Sequence, residues 1–379
     1  MEVYYCLFLI VLATGLLLRP RATVVEPEEG LLPDDAAAGE ITYTQPKRAK
    51  FFLLFAFLLI GIVIGFRHLT VGADTQNYLT LYFNDVRKNG VIGDNPEIVI
   101  RLIAWFCQLF SKEYQVYLIV TGFLTAFLFG KWIYDNSHNV FISTIIFLGM
   151  FFVQSLNLMR EWLAIAFIIN ADTFFRNKKF VPFTIFLLLG IFCHMTAAAY
   201  LAVVLLGGIK RKRLAFFITL IGCILFYLVR NQVFDLVVKI FPRYDSYVNS
   251  SLFINETNFN AKDVIFLFIL GVFLLALVFR KEAFTEEEYN RYYTYSLLLV
   301  LALTFSLCGQ SFYMLHRVVF YYSVFLIVSI PNFINKIKGG WIIYLVLIPA
   351  MFFMLYRNSS FDNNVISHYH WFWEKVTTA

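Results

Sequence analysis

The stretch FVPFTIFLLLGIFCHMTAAAYLAVVLLGGI, Phe180 to Ile209, decides how this chain is threaded. It is apolar almost throughout, with His194 near its middle. It is too long for one ordinary membrane span of about 17–25 residues and short for two. Basic clusters bracket it, Arg176/Lys178/Lys179 before and Lys210/Arg211/Lys212/Arg213 after. Read as one helix, it sends those clusters to opposite sides of a membrane. Read as a hairpin of two short helices turning near His194, it puts them on one side, together with Lys47/Arg48/Lys50, Arg280/Lys281 and Lys336/Lys338. Short loops rich in Lys and Arg stay cytoplasmic, so the hairpin orients the whole chain.

The composition agrees. Of 379 residues, 60% are hydrophobic, 19% aromatic and only 15% charged, with 44 Phe and 22 Tyr. A soluble fold cannot hide that much apolar surface, whereas lipid-facing and interfacial positions take it readily. The apolar runs are unbroken, as in 51–66, and lack the alternation of barrel strands. The fold class is therefore all-α, a polytopic helical membrane protein. The net charge of +6 comes from short inter-span loops, which gives no reason to expect nucleic acid. Cys6, Cys107, Cys193, Cys223 and Cys308 show no paired spacing and read as small apolar helix residues. No metal site and no cofactor motif is visible: HExxH, Walker, GxGxxG and GxSxG patterns are absent from the sequence.

Working outward, apolar runs fall near 3–18, 51–66, 114–134, 140–153, 158–174, 180–209, 214–229, 264–279, 294–308, 315–330 and 341–356. With the hairpin they make about 12 spans, within about 11–13, in a single membrane domain 1–379 with both termini outside. The first run lacks a basic n-region and carries Glu2 instead, so it reads as an uncleaved span. Residues 19–50, rich in Pro, Glu, Asp and Ala, read as an inner mobile loop. The outer side receives two long loops, 67–113 and 230–262. Within the first, 97–110 is too short to span and reads as a re-entrant or interfacial helix.

On this topology the unusual polar residues converge on one side. Arg67 and Asp74 belong to the loop RHLTVGADTQNY that leaves the second run. Asn157, Arg160 and Glu161 open a later span, His194 sits at the hairpin turn, and His316 and Arg317 open another span. Arg243, Tyr244 and Asp245 lie in the second outer loop. An arginine near hydrocarbon is costly and usually marks a water-filled cavity. Its planar fork of donors matches phosphate oxygens, so Arg67, Arg160, Arg243 and Arg317 are candidates for holding a diphosphate. Asp74, Glu161, Asp245 and His194 are candidates for a general base on a hydroxyl. Each has a plainer reading: Arg160 as an interfacial pair with Glu161, Arg317 as a snorkelling terminal residue, Asp74 as a helix cap, His194 as a turn residue and Arg243 as solvated loop.

Three segments carry a family resemblance: Arg67 with Gly72-Ala73-Asp74-Thr75-Gln76-Asn77-Tyr78, Asn157-Leu158-Met159-Arg160-Glu161-Trp162-Leu163-Ala164, and Phe192-Cys193-His194-Met195-Thr196-Ala197. Together they resemble the EpsG branch of bacterial exopolysaccharide polymerases, which look like the Wzy polymerases of O-antigen and capsule assembly. Glu161 stands where the family typically has Gln, and Met195-Thr196 where it often has Ser. The resemblance implies a glycosyltransferase in the bacterial cytoplasmic (inner) membrane, working without a nucleotide sugar. It would join oligosaccharide repeats carried on polyprenyl diphosphate, on the extracytoplasmic side. The partners it implies are membrane lipid, a flippase that delivers the repeats and a chain-length regulator. Two other functions fit the same residues: a transporter or flippase for a lipid-linked or anionic saccharide, and an acyltransferase that modifies the polymer.

Overall fold

The computed structural model describes residues 1–20, 23–25, 42–92, 97–207, 209, 211–240, 261–309, 315–360 and 365–376. They are helical almost throughout, as the composition requires. The exception is a two-stranded antiparallel ribbon pairing Thr23–Val25 with Thr42–Thr44, with Val24 opposite Tyr43. The helices are α1 (Glu2–Leu18), α2 (Lys47–Gly65), α3 (Thr75–Tyr78), α4 (Asp85–Asn89), α5 (Ile98–Gln108), α6 (Tyr114–Asn136), α7 (Val140–Met150), α8 (Phe152–Asn157) and α9 (Met159–Arg176). After these come α10 (Phe180–Cys193), α11 (Leu201–Gly207), α12 (Lys212–Leu228), α13 (Arg230–Ile240), α14 (Ala261–Phe279), α15 (Glu286–Gly309), α16 (Leu315–Ser323), α17 (Leu326–Ile334) and α18 (Trp341–Ser360).

Among the described residues, six helical stretches are long and apolar enough to cross a membrane: α2, α6, Lys262–Phe279, α15, Leu315–Ile334 and α18. A seventh is added if α12 and α13 are one bent span. The chain is a multi-pass membrane protein, but these helices do not reach the expected count of about 12. The shortfall has a local cause. The apolar run 140–153 is interrupted at Phe151, and α1, α7 and α10 fall among the shorter apolar helices. The run 180–209 is indeed two pieces: α10 stops at His194, whose backbone is extended, and a 3-10 turn Met195–Tyr200 leads into α11. The first outer loop contains α3, α4 and the expected short helix, α5. Most of the expected inner mobile loop (26–41) and most of the second outer loop (241–260) lie outside the described residues.

The chain divides into two compact units, Met1–Met195 with Ile327–Ala379, and Thr196–Leu326. In the first, α9 is the centre. It is buried on nearly every face from Met159 to Thr173, as a helix apolar all round should be. Trp162 on α9 packs against Phe129, Phe147 and Phe151 with ring centroids 5.7, 6.3 and 5.8 Å away. Beside it α2 and α6 cross closely. A Cβ on Gly122 would fall 2.9 Å from the backbone nitrogen of Gly65, so small residues set the approach here, as membrane helix pairs commonly require.

The two ends of this unit differ in chemistry. One end is tied by Gln45, which donates to Ser137 O at 2.5 Å, by Arg176, which donates to Asn136 Oδ1, and by Asn332, which donates to Asn136 O. The basic residues Lys47, Arg48, Lys50, Arg176, Lys178 and Lys179 belong to the helix ends there. The opposite end gathers the first residue, the segment after α2 and the C-terminal strap. The Met1 amino group donates to Ser367 O at 3.1 Å, Tyr4 OH to Ile366 O at 2.9 Å, and His68 N–H to His370 O at 2.8 Å. The first helix and the C-terminal strap thus meet at one end of the unit.

The second unit is built on α15, which packs with α12, α14 and α16. Within it Tyr322 OH donates to Ala199 O at 3.0 Å, and the Thr196 hydroxyl donates to Tyr321 OH at 3.2 Å.

Candidate active site

The loop after α2 is seated by its glycine. Gly72 has φ +91°, a region that side chains rarely enter, and a Cβ there would meet Leu156 O at 3.0 Å and Asn157 Cα at 3.2 Å. The loop therefore lies directly on the break between α8 and α9. Asn157, at that break, accepts the Asp74 N–H on Oδ1 at 2.9 Å and the Tyr78 hydroxyl on its carbonyl at 3.1 Å. Gly72 N–H donates to Val365 O at 3.0 Å, and Tyr114 OH to Thr75 O at 3.1 Å. Two of the three segments that carry the family resemblance, the loop 72–78 and the start of α9, are thus stitched to one another, with Asn157 as the knot. Gly72→Ala is expected to destabilise the protein by about 1–3 kcal/mol through left-handed strain plus overpacking. Thermal unfolding in detergent checks this, and an unchanged midpoint would show that the seat is loose.

The helix that follows is irregular. Between α3 and α4 the residues Leu79–Asn84 form a π-turn, a feature that often marks functional positions. Tyr78 and Tyr82 both lie against the Arg160 guanidinium, whose carbon is 5.0 and 4.6 Å from their ring centroids. The Arg160 side chain is 16% exposed, so it is largely desolvated and flanked by electron-rich rings that favour a cation.

Arg160 is not left to the rings. Its Nη1 donates to the Glu97 carboxylate and to Tyr82 OH. Tyr82 OH in turn donates to Glu97 Oε2 at 2.6 Å, and His194 Nδ1 lies 2.5 Å from Glu97 Oε1. One buried carboxylate therefore joins an arginine from α9, a histidine from the end of α10 and a tyrosine from the π-turn. Burial opposes the charge on Glu97, but the hydrogen bond from His194, the Arg160 charge and the Tyr82 hydroxyl outweigh it and hold the carboxyl at about 2. With Glu97 ionised, Nδ1 of His194 must carry the proton toward it. The lone pair that can accept a proton is then on Nε2.

Glu97 is itself held from behind. It precedes α5, whose Arg101 is buried and donates to Asp85 Oδ2 at 2.5 Å, Gly90 O at 2.8 Å and Val91 O at 2.7 Å. Arg101 thus clamps α5 to the end of α4 and fixes where Glu97 is presented. Among the described residues every hydrogen bond of the Arg160 side chain leaves from Nη1, so Nη2 remains for a ligand oxygen.

The expected site residues divide as follows. Arg160 and His194 are brought together, through Glu97, which sequence reasoning did not select. Asp74 is half-buried on the loop anchored by Asn157. Glu161 is buried on α9, but the ion pair of Arg160 is made with Glu97. Arg67 is fully buried; Nη1 donates to Ile64 O, and the hydroxyls of Tyr4, Tyr78, Tyr114 and Tyr369 lie near enough to act on its charge. Tyr78 is the one of these tyrosines whose ring also lies against Arg160. Arg317 is on the first turn of α16, in the second unit. Arg243, Tyr244 and Asp245 lie outside the described residues. A signal for Glu97 did exist: an acid placed at the mouth of an apolar helix is costly unless a cation meets it. Among the described residues no cluster of His, Cys, Asp and Glu could hold a metal ion.

Residues 50–371 match the EpsG family model. The chain belongs to the EpsG family. No curated protein and no solved structure matches it. The EpsG match takes in the whole cluster, from Arg67 and Asp74 through Glu97 and Arg160 to His194, as well as most of the C-terminal strap. EpsG membership, with the apolar helices, makes this a membrane protein of exopolysaccharide polymerase type. It implies a glycosyltransferase-like role acting on a lipid-linked oligosaccharide within the membrane.

Proposed function

We propose that this EpsG chain joins oligosaccharide repeats on the extracytoplasmic side of the bacterial inner membrane, taking the growing chain from polyprenyl diphosphate. The observation that carries the proposal is the Glu97 carboxylate shared by Arg160 and His194. A glycosyl transfer from a lipid diphosphate asks for a cation at the leaving oxygens and a base at the attacking hydroxyl. Glu97 positions one of each. The basic helix ends, which lie at the end of the unit opposite the cluster, support this sidedness, because positive residues stay cytoplasmic.

In the proposed step, a hydroxyl of the non-reducing sugar of the new repeat attacks C1 of the sugar attached to diphosphate. The new O–C1 bond forms as the C1–O bond to diphosphate breaks. The hydroxyl proton passes to His194 Nε2, and the bonding pair leaves with polyprenyl diphosphate, whose charge Arg160 Nη2 meets. Asp74, on the loop tied to the start of α9, orients the acceptor. A flippase supplies repeats to that leaflet and a chain-length regulator acts on the product.

Arg160→Ala, made at matched protein level in producing cells, is expected to abolish long-chain polymer and to leave single repeats on their lipid. Gel separation of the polymer checks this. Long chains of unchanged amount and length would remove Arg160 from the site.

A further inference from the structure

The C-terminal strap presents an aromatic surface that the reaction centre does not use. Trp371 and Trp373 are stacked, centroids 5.1 Å apart and planes 6° from parallel. Tyr369 braces Trp371 edge-on at 5.0 Å, and Phe372 braces Trp373 at 4.9 Å and 80°. Trp373 is nevertheless 60% exposed. The strap is fastened to the loop that carries Asp74: Phe372 N–H donates to Phe66 O, and Trp371 pairs with Arg67 in a backbone bridge. The rim of this surface is polar, with His370 Nδ1 3.0 Å from Glu374 Oε2 and Lys375 exposed.

We propose that the outer face of Trp373 is a stacking platform for the growing saccharide chain. The face of an indole is flat and electron-rich. The C–H face of a pyranose is flat and weakly positive, so the two meet by dispersion and weak C–H contacts. The rim carboxylate and imidazole accept hydroxyl hydrogen bonds from the same sugar. A hydrocarbon occupant would gain nothing from that rim and would desolvate it at a cost. The ring is already held by Trp371 and Phe372, so little side-chain freedom is lost on binding. It belongs to the strap and not to the Glu97 cluster, so it meets sugars away from the reacting atoms. Its effect is therefore on retention of the chain between transfers. This inference rests on the polymerase reading.

The test uses the full chain in lipid nanodiscs, with lipid-linked repeats and delipidated polymer purified from the producing cells. Trp373→Ala is expected to leave the joining of two repeats near the wild-type rate while mean chain length falls by about fivefold, the weight of one aromatic contact. Trp373→Phe should restore much of that length. Delipidated polymer should quench tryptophan emission in the wild type by an amount missing from Trp373→Phe. An unaltered length distribution in Trp373→Ala would overturn the platform, as would equal loss of first joining and of length. So would quenching of Trp373 by brominated lipid and not by polymer, which would make it a membrane-interface anchor. Should the wild type fail to lengthen repeats, the polymerase reading fails by itself, and polymer quenching still decides the platform.

Discussion

Glu97→Gln is expected to lower the rate of repeat joining by about 10²–10⁴, the usual weight of a positioned acid–base system. The amide keeps the shape of the carboxylate but loses its charge. His194 then has no reason to keep its proton on Nδ1, and the tautomer with a basic Nε2 is no longer enforced. Arg160 is left as a largely buried cation with its ion pair removed. Losing one partner of a buried pair costs about 3–5 kcal/mol, and less here because Arg160 keeps two tyrosine rings and partial exposure. Folded protein, followed by gel filtration, should therefore fall by less than activity. Glu97 acts through its neighbours, so the loss should appear in kcat with KM for the lipid-linked repeat changed far less. A proportionate loss of folded protein and activity would make Glu97 a structural residue only. The stabilising charge of Glu97 should persist down through the ordinary carboxylate range: with its value held near 2, it is present above about 4.5 and is lost only as pH falls toward 2.

His194→Ala is expected to cost about 10²–10⁴ in kcat, while Asp74→Asn should cost less than about tenfold, as loss of a residue that orients but does not take the proton. His194 ends α10 with its backbone extended and is held by Glu97, so its removal takes away a group already aimed. Asp74 is placed by its own N–H on Asn157, which the asparagine variant retains. The comparison is made with purified protein and lipid-linked repeats under single-turnover conditions. The reverse order, with Asp74→Asn inactive and His194→Ala nearly intact, would move the base to the loop.

Much of this arrangement was legible in the sequence, for a definite reason. Charge at the mouth of an apolar run is expensive, so Arg160 and His194 stood out, and the basic clusters around 180–209 required a break where His194 makes one. Gly72 and Asp74 stood out beside them, and the structure binds their loop to Asn157. Glu97 did not stand out. It lies 63 residues before Arg160 and 97 before His194, at the edge of a segment that reads as an interfacial helix. Only the packing of α5 brings it to them. Tyr78 and Tyr82 were hidden by abundance, since aromatic residues are everywhere in this chain, and the π-turn that presents Tyr82 leaves no mark in the apolar pattern. The expected count of about 12 spans is not reached among the described residues because several helices are short: periodicity reports where apolar residues are, and it does not report a break such as the one at Phe151.

The most direct measurement is reconstitution of the purified chain in bilayers with lipid-linked repeats and no nucleotide sugar. Joined repeats should accumulate, with one polyprenyl diphosphate released for each new bond, and Glu97→Gln and Arg160→Ala protein should form far less of both. Repeats that cross the bilayer or gain an ester without lengthening would contradict the account, as would joining that proceeds unchanged in both variants.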